Sequence, residues 1–83
     1  MKPISYENCL YRTPDLALAA AILLFIPLEA IDKQNPRKAQ FIFRHEKKLE
    51  GLVEDYWHER LKVEPQAYFG ALRTIKARLY SEN

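Results

Sequence analysis

The chain of 83 residues is poor in several residue types. It has one cysteine, two glycines, one methionine and one tryptophan. A single cysteine excludes an internal disulfide and a multi-cysteine zinc site. The glycines, Gly51 and Gly70, both fall in helix-patterned segments, so there is no glycine-rich phosphate loop. The longest uncharged run, Leu16–Leu28, is 13 residues and contains Pro27. As helix it would reach about 20 Å, short of the roughly 30 Å of a bilayer core, so a buried helix is expected and not a membrane span. Met1-Lys2-Pro3 is followed by polar and aromatic residues and carries no secretory pattern. With a single cysteine, this makes a cytoplasmic location the expectation.

The rest of the composition is ordinary. Apolar residues make up 48% and charged residues 29%, which suits a globular domain and argues against disorder. The length fits a single domain, 1–83, with its core at about 8–80. Stability must come from packing, with self-association as a further source. The net charge of +2 is small, but its distribution is uneven. Residues 1–32 sum to −2, 33–48 to +5, 49–64 to −3 and 65–83 to +2. A basic middle between acidic stretches can steer an anionic partner.

Residues 8–12 alternate and read as a short strand. Thr13-Pro14-Asp15 is a helix start, with Thr13 as cap and Pro14 in the first helical position. The helix runs to about Phe25, is apolar all round and should be buried. Pro27 ends it. Leu28–Asp32 and Ala39–Arg44 read as strands, the second with Phe41 and Phe43 on one face. Between them, Lys33-Gln34-Asn35-Pro36-Arg37-Lys38 contains an Asn-Pro turn signal and predicts a hairpin with a basic tip. Leu49, Leu52, Val53, Tyr56 and Trp57 mark a second helix over about 46–61. Tyr68, Leu72, Ile75 and Leu79 mark a third, beginning at Glu64-Pro65, where Glu64 is a poor cap. The expected fold is α+β, ordered β-α-β-β-α-α. A small three-stranded sheet packs on a buried helix and a C-terminal helical hairpin.

Several residues also carry a resemblance. Tyr11, Thr13, Asp15 and Leu16 form a Tyr-x-Thr-x-Asp-Leu start. Phe41 and Phe43 form a Phe-x-Phe strand. Leu52, Val53, Tyr56 and Trp57 lie in one helix. Val63, Pro65, Tyr68 and Phe69 form a Val-x-Pro-x-x-Tyr-Phe segment, and Leu79-Tyr80 closes the frame. This frame resembles a family of short prokaryotic and phage-encoded proteins classed as a domain of unknown function. A glycine near Ile26-Pro27 and an Asp or Thr cap near His45 would complete the likeness and are missing. The resemblance implies a whole domain and a mobile-element setting, and it implies no activity.

Few residues suggest chemistry. Cys9 and His45 would meet if the first strand neighbours the hairpin, the minimum for a thiol nucleophile. His58 shares a helix face with Glu54 and Asp55, but a metal site needs more ligands. Each has a plainer reading, a buried thiol or a solvated polar face. The expectation is therefore a protein that is not an enzyme, with no cofactor and no metal.

The leading expectation is a non-enzymatic interaction module that binds a protein partner or itself. Trp57, Arg60, Arg73 and Tyr80 are its candidate interface residues. Adjacent aromatics such as Tyr56-Trp57 diverge by about 100° on a helix, so only one of each pair reaches the core. The alternative is a small nucleic-acid-binding accessory protein that uses Lys33, Arg37 and Lys38 on the hairpin, with Arg44, Lys47 and Lys48 beyond it. Arg73, Lys76 and Tyr80 also share a flank of the last helix beside Phe69, a cation–aromatic display that can bind single strands.

Overall fold

A computed structural model describes residues 9–35 and 37–81. Over these the chain forms β1 (Leu10–Thr13), α1 (Leu16–Leu23), β2 (Leu28–Asp32), β3 (Gln40–Arg44), α2 (Lys47–Trp57) and α3 (Pro65–Leu79). The order is β-α-β-β-α-α, an α+β fold. Both strand pairs are antiparallel and the sheet order is β1-β3-β2, so β3 is central. Pro36 of the expected Asn-Pro turn lies outside the described residues.

Alternation decides the sheet. Phe41 and Phe43 point to one face and are buried against Leu18, Ile22 and Ile26 of the α1 region, Leu49 of α2 and Ile75 of α3. Ile42 points to the other face, yet is only 7% exposed. Its cross-strand partners are Arg12 and Ala30, and Arg12 Nη1 reaches Asp32 Oδ2 at 3.1 Å. That ion pair joins the two outer strands across the strand that carries Ile42. Arg44 and Glu29 make a longer pair, at 3.6 Å.

The helix ends correct several expectations. Thr13 does not cap α1. It is the last residue of β1, paired with Phe41 and buried, and its Oγ1 accepts the Asp15 N–H at 3.1 Å. Asp15 is the cap, with Oδ1 accepting the Leu18 N–H at 3.1 Å. Thr13 is committed to the strand, so the helix starts two residues later than expected. Glu64, expected to cap poorly, does cap α3: its Oε1 accepts the Ala67 N–H at 2.7 Å.

α2 ends four residues before Leu61. Glu59 has φ of 60°, the left-handed region. Its N–H bonds the Tyr56 carbonyl at 3.1 Å, and the Arg60 N–H bonds the Asp55 carbonyl at 2.8 Å. This double closure is a Schellman motif with glutamate where glycine is usual.

The helical hairpin is also looser than expected. α1 packs on both α3 and α2, while direct packing of α2 on α3 is slight. Ala19, Ala20 and Ala21 are buried, and the small side chains let the neighbouring helices approach α1. Tyr56, Leu61, Val63 and Tyr68 line a cleft of about 220 Å³ with Ala21, in the seam between α2 and α3. Tyr68 Oη donates to the Ala17 carbonyl at 2.9 Å and ties α3 to α1. Gly51 marks no close approach, since a Cβ there meets nothing within 4 Å.

Candidate functional site

The basic hairpin and the end of α3 come together. Lys33 Nζ donates to the carbonyls of Arg78 at 3.1 Å and Ser81 at 2.6 Å. These oxygens belong to the C-terminal end of α3, where the helix dipole is negative. Lys33, expected among the nucleic-acid contacts, therefore also serves as a cap and a tether. Asn35 shapes the tip: its Oδ1 accepts the Arg37 N–H at 3.0 Å and its carbonyl accepts the Lys38 N–H at 3.0 Å. Arg37 and Lys38 are left exposed.

The tether makes a cleft of about 410 Å³ lined by Lys33, Asn35, Arg37, Ala39, Leu79 and Tyr80. Tyr80 is 75% exposed at its rim. Along the outer flank of α3, Phe69, Leu72, Arg73 and Lys76 line a further shallow depression, with Phe69 62% exposed. Phe69, Arg73, Lys76 and Tyr80 follow i, i+4, i+7, i+11 spacing, one face of a helix. The segments 33–40 and 65–81 together hold six cations and no acidic residue. The positive character of this surface was legible in each segment. Their meeting was not, because Lys33 and Arg78 lie 45 residues apart.

Arg44, Lys47 and Lys48 do not join this surface. β3 runs away from the tip at about 3.3 Å per residue, so they stand at its far end. Arg44 is also paired with Glu29. The six basic residues expected to act together thus divide into two groups. The four interface candidates divide as well, Trp57 and Arg60 at the end of α2, Arg73 and Tyr80 on α3.

A second concave surface lies between α2 and β1. It measures about 390 Å³ and is lined by Tyr11, His45, Leu49, Glu50, Val53, Glu54, Trp57 and His58. Trp57 is 59% exposed and stands among its lining residues. Its ring meets Tyr56 edge-on, with centroids 5.0 Å apart and planes at 86°. His45 Nε2 and Glu50 Oε2 are 3.7 Å apart. Arg60 Nη2 is 3.3 Å from Asp55 Oδ1 and 3.6 Å from Glu54 Oε1.

The main chains of Cys9 and His45 meet, the His45 backbone N–H bonding the Cys9 carbonyl at 3.0 Å; this is a backbone pairing and not a thiol–imidazole contact. Cys9 does not line the groove that His45 lines. Among the described residues, no group of three or more His, Cys, Asp or Glu could hold a metal ion. No described helix is long and apolar enough to cross a membrane.

Tyr11, Tyr56 and Tyr68 all have hydroxyls pushed above the usual tyrosine range. Burial is the main cause in each, and the Asp15 carboxylate adds to it; at Tyr68, Tyr56 contributes before Asp15. Three phenols thus surround the cap of α1, and their neutral forms are the ones the fold favours.

None of the curated proteins and none of the solved structures matches the chain. A family profile described as a domain of unknown function, DUF5659, does match, over residues 8–81. It spans all six elements and both concave surfaces, and the chain therefore belongs to the DUF5659 family.

Proposed function

We propose that this protein is a non-enzymatic binding module whose surface at the hairpin tip and α3 takes single-stranded nucleic acid. The observation that carries this reading is the Lys33 tether, which sets Arg37 beside the exposed Tyr80 in a cleft with no acidic side chain among its described lining, Lys38 following at the exposed tip. Cations along a groove with an aromatic ring at its edge suit a strand whose bases are free to stack. Phosphates would meet Arg37, Lys38, Arg73 and Lys76, and a base would stack on Tyr80 or Phe69. The alternative footprint in a duplex major groove is less well supported, since the tether holds the hairpin tip against α3.

The His45–Glu50 pair stands on an open groove whose described lining holds no cysteine, serine, threonine or lysine, and we read it as a binding groove. A cytoplasmic, prokaryotic or phage setting belongs to the same reading.

The test is fluorescence anisotropy with a labelled single strand of mixed sequence, titrated at several salt concentrations. Four phosphate contacts give a slope of log K against log salt of about −3. The double variant Arg37→Glu, Lys38→Glu should bind at least about tenfold more weakly and show a slope shallower by about 1.4. Absence of salt-dependent binding at low ionic strength would overturn the proposal.

A further inference from the structure

The groove between α2 and β1 plays no part in that reading, and its chemistry is of the opposite sign. Two aromatic residues, Tyr11 and Trp57, stand among its walls, and Leu49 and Val53 supply apolar lining. Glu50 and Glu54 line it beside two imidazoles, and among the described residues no lysine or arginine does. Glu50 and Glu54 are half or more exposed. Among the described residues, no lysine or arginine approaches the Glu50 carboxylate within ion-pair distance. Phosphates would be repelled by these carboxylates, and a purely apolar ligand would make no use of them; Glu54 already has Arg60 at 3.6 Å, which leaves Glu50 as the carboxylate with no lysine or arginine beside it among the described residues.

Aromatic walls and carboxylates converge on a cation. The volume of about 390 Å³ is that of a side chain and its immediate neighbours. We propose that this groove is a docking site for an arginine side chain presented by a basic segment of a partner protein. The guanidinium stacks on the Trp57 indole and turns its donor edge to Glu50, with Glu54 extending the negative rim. Arginine suits the site better than lysine, because its planar fork both stacks on a ring and bonds a carboxylate through two donors. The chain already does part of this with its own residue: the Arg60 guanidinium, just beyond the end of α2, sits against Asp55 and Glu54 of that helix.

Trp57 is the only tryptophan, so its emission reads the groove directly. The probe is a short, terminally blocked peptide with two arginines. The control is the same peptide with citrulline, which keeps the shape and loses the charge. The arginine peptide should change Trp57 emission saturably, and the citrulline peptide should bind about 5- to 30-fold more weakly, the range a desolvated cation–aromatic contact spans. Glu50→Gln with Glu54→Gln should weaken the arginine peptide about tenfold while leaving the far-UV circular dichroism unchanged. Arg37→Glu with Lys38→Glu, which removes the basic tip, should leave peptide binding unchanged.

Equal response to both peptides, or no saturable response to the arginine peptide at millimolar concentration, would overturn the proposal. So would a change in emission that follows the protein's own concentration and resists the arginine peptide, because the groove would then hold a second copy.

Discussion

Lys33 separates the structural from the binding lysines, and Lys33→Met tests that separation. Methionine keeps an unbranched apolar stem and loses the ammonium. The substitution removes two hydrogen bonds from a charged donor, at 2.6 and 3.1 Å, to the end of α3. Bonds of this kind contribute about 1.5–3 kcal/mol each where water is excluded. These are exposed, which brings them nearer about 1 kcal/mol each, and the helix terminus adds a few tenths. Ordering a lysine side chain opposes this by about 1 kcal/mol or somewhat more. The net loss is about 1 kcal/mol. For a domain of this size that is a fall in Tm of about 4–8 °C, read by circular dichroism at 222 nm. Arg37→Met, three residues along at the exposed tip, should move Tm by no more than about 2 °C. In the anisotropy assay the order reverses at the level of charge: Arg37→Met makes the salt slope shallower, while Lys33→Met lowers affinity mainly by releasing the tip. A Lys33→Met protein as stable as the parent, with the same change in salt slope as Arg37→Met, would refute the assignment.

Three further outcomes are expected. Glu59→Gly should raise stability by about 1 kcal/mol, because glycine adopts the left-handed conformation without the penalty a Cβ incurs. Glu59→Gln, which removes only the charge at a helix C-terminus, should gain less, and equal gains in urea midpoint would place the effect in electrostatics. Gly51→Ala should stabilise by about 0.5–1 kcal/mol, since the new methyl meets nothing and α2 gains helix propensity; a loss in urea denaturation would contradict the open surroundings of Gly51. At high pH, the raised folded values of Tyr11, Tyr56 and Tyr68 mean that their stabilising share is fully present below about pH 10, the unfolded value. That share is lost as pH rises through the folded values, with tyrosinate absorbance at 295 nm lagging that of free tyrosine until unfolding. Tyr68→Phe should blunt the alkaline loss, because no phenol remains there to ionise and cease donating to Ala17.

The strands were legible because alternation is a short-range signal: Phe41 and Phe43 announce their shared face without reference to the rest of the chain. Helix ends were less so. Thr13 has the chemistry of a cap, but pairing with Phe41 claims its backbone first. Nothing in a glutamate announces a left-handed residue, so the stop at Glu59 was hidden until the Asp55 and Tyr56 carbonyls were seen to close on it. The site divides in the same way. That one of Tyr56 and Trp57 would turn outward followed from their adjacency, but that it is Trp57 did not. The union of the hairpin tip with α3 rests on a contact between distant segments, which no local pattern encodes.

The Arg12–Asp32 pair bears on the order in which the chain assembles. Its partners sit on β1 and β2, which are not neighbours, and β3 lies between them. β2 and β3 adjoin through one short turn and can pair early, whereas β1 must return across α1 and the hairpin, a longer loop to close. The ion pair forms only when all three strands are in place, so it belongs to the final step of folding. Asp32→Asn should accordingly speed unfolding while leaving the folding rate nearly unchanged. In kinetic terms, the salt bridge between the outer strands is a latch on the finished sheet, slowing its opening by the few-fold that a half-exposed pair can supply.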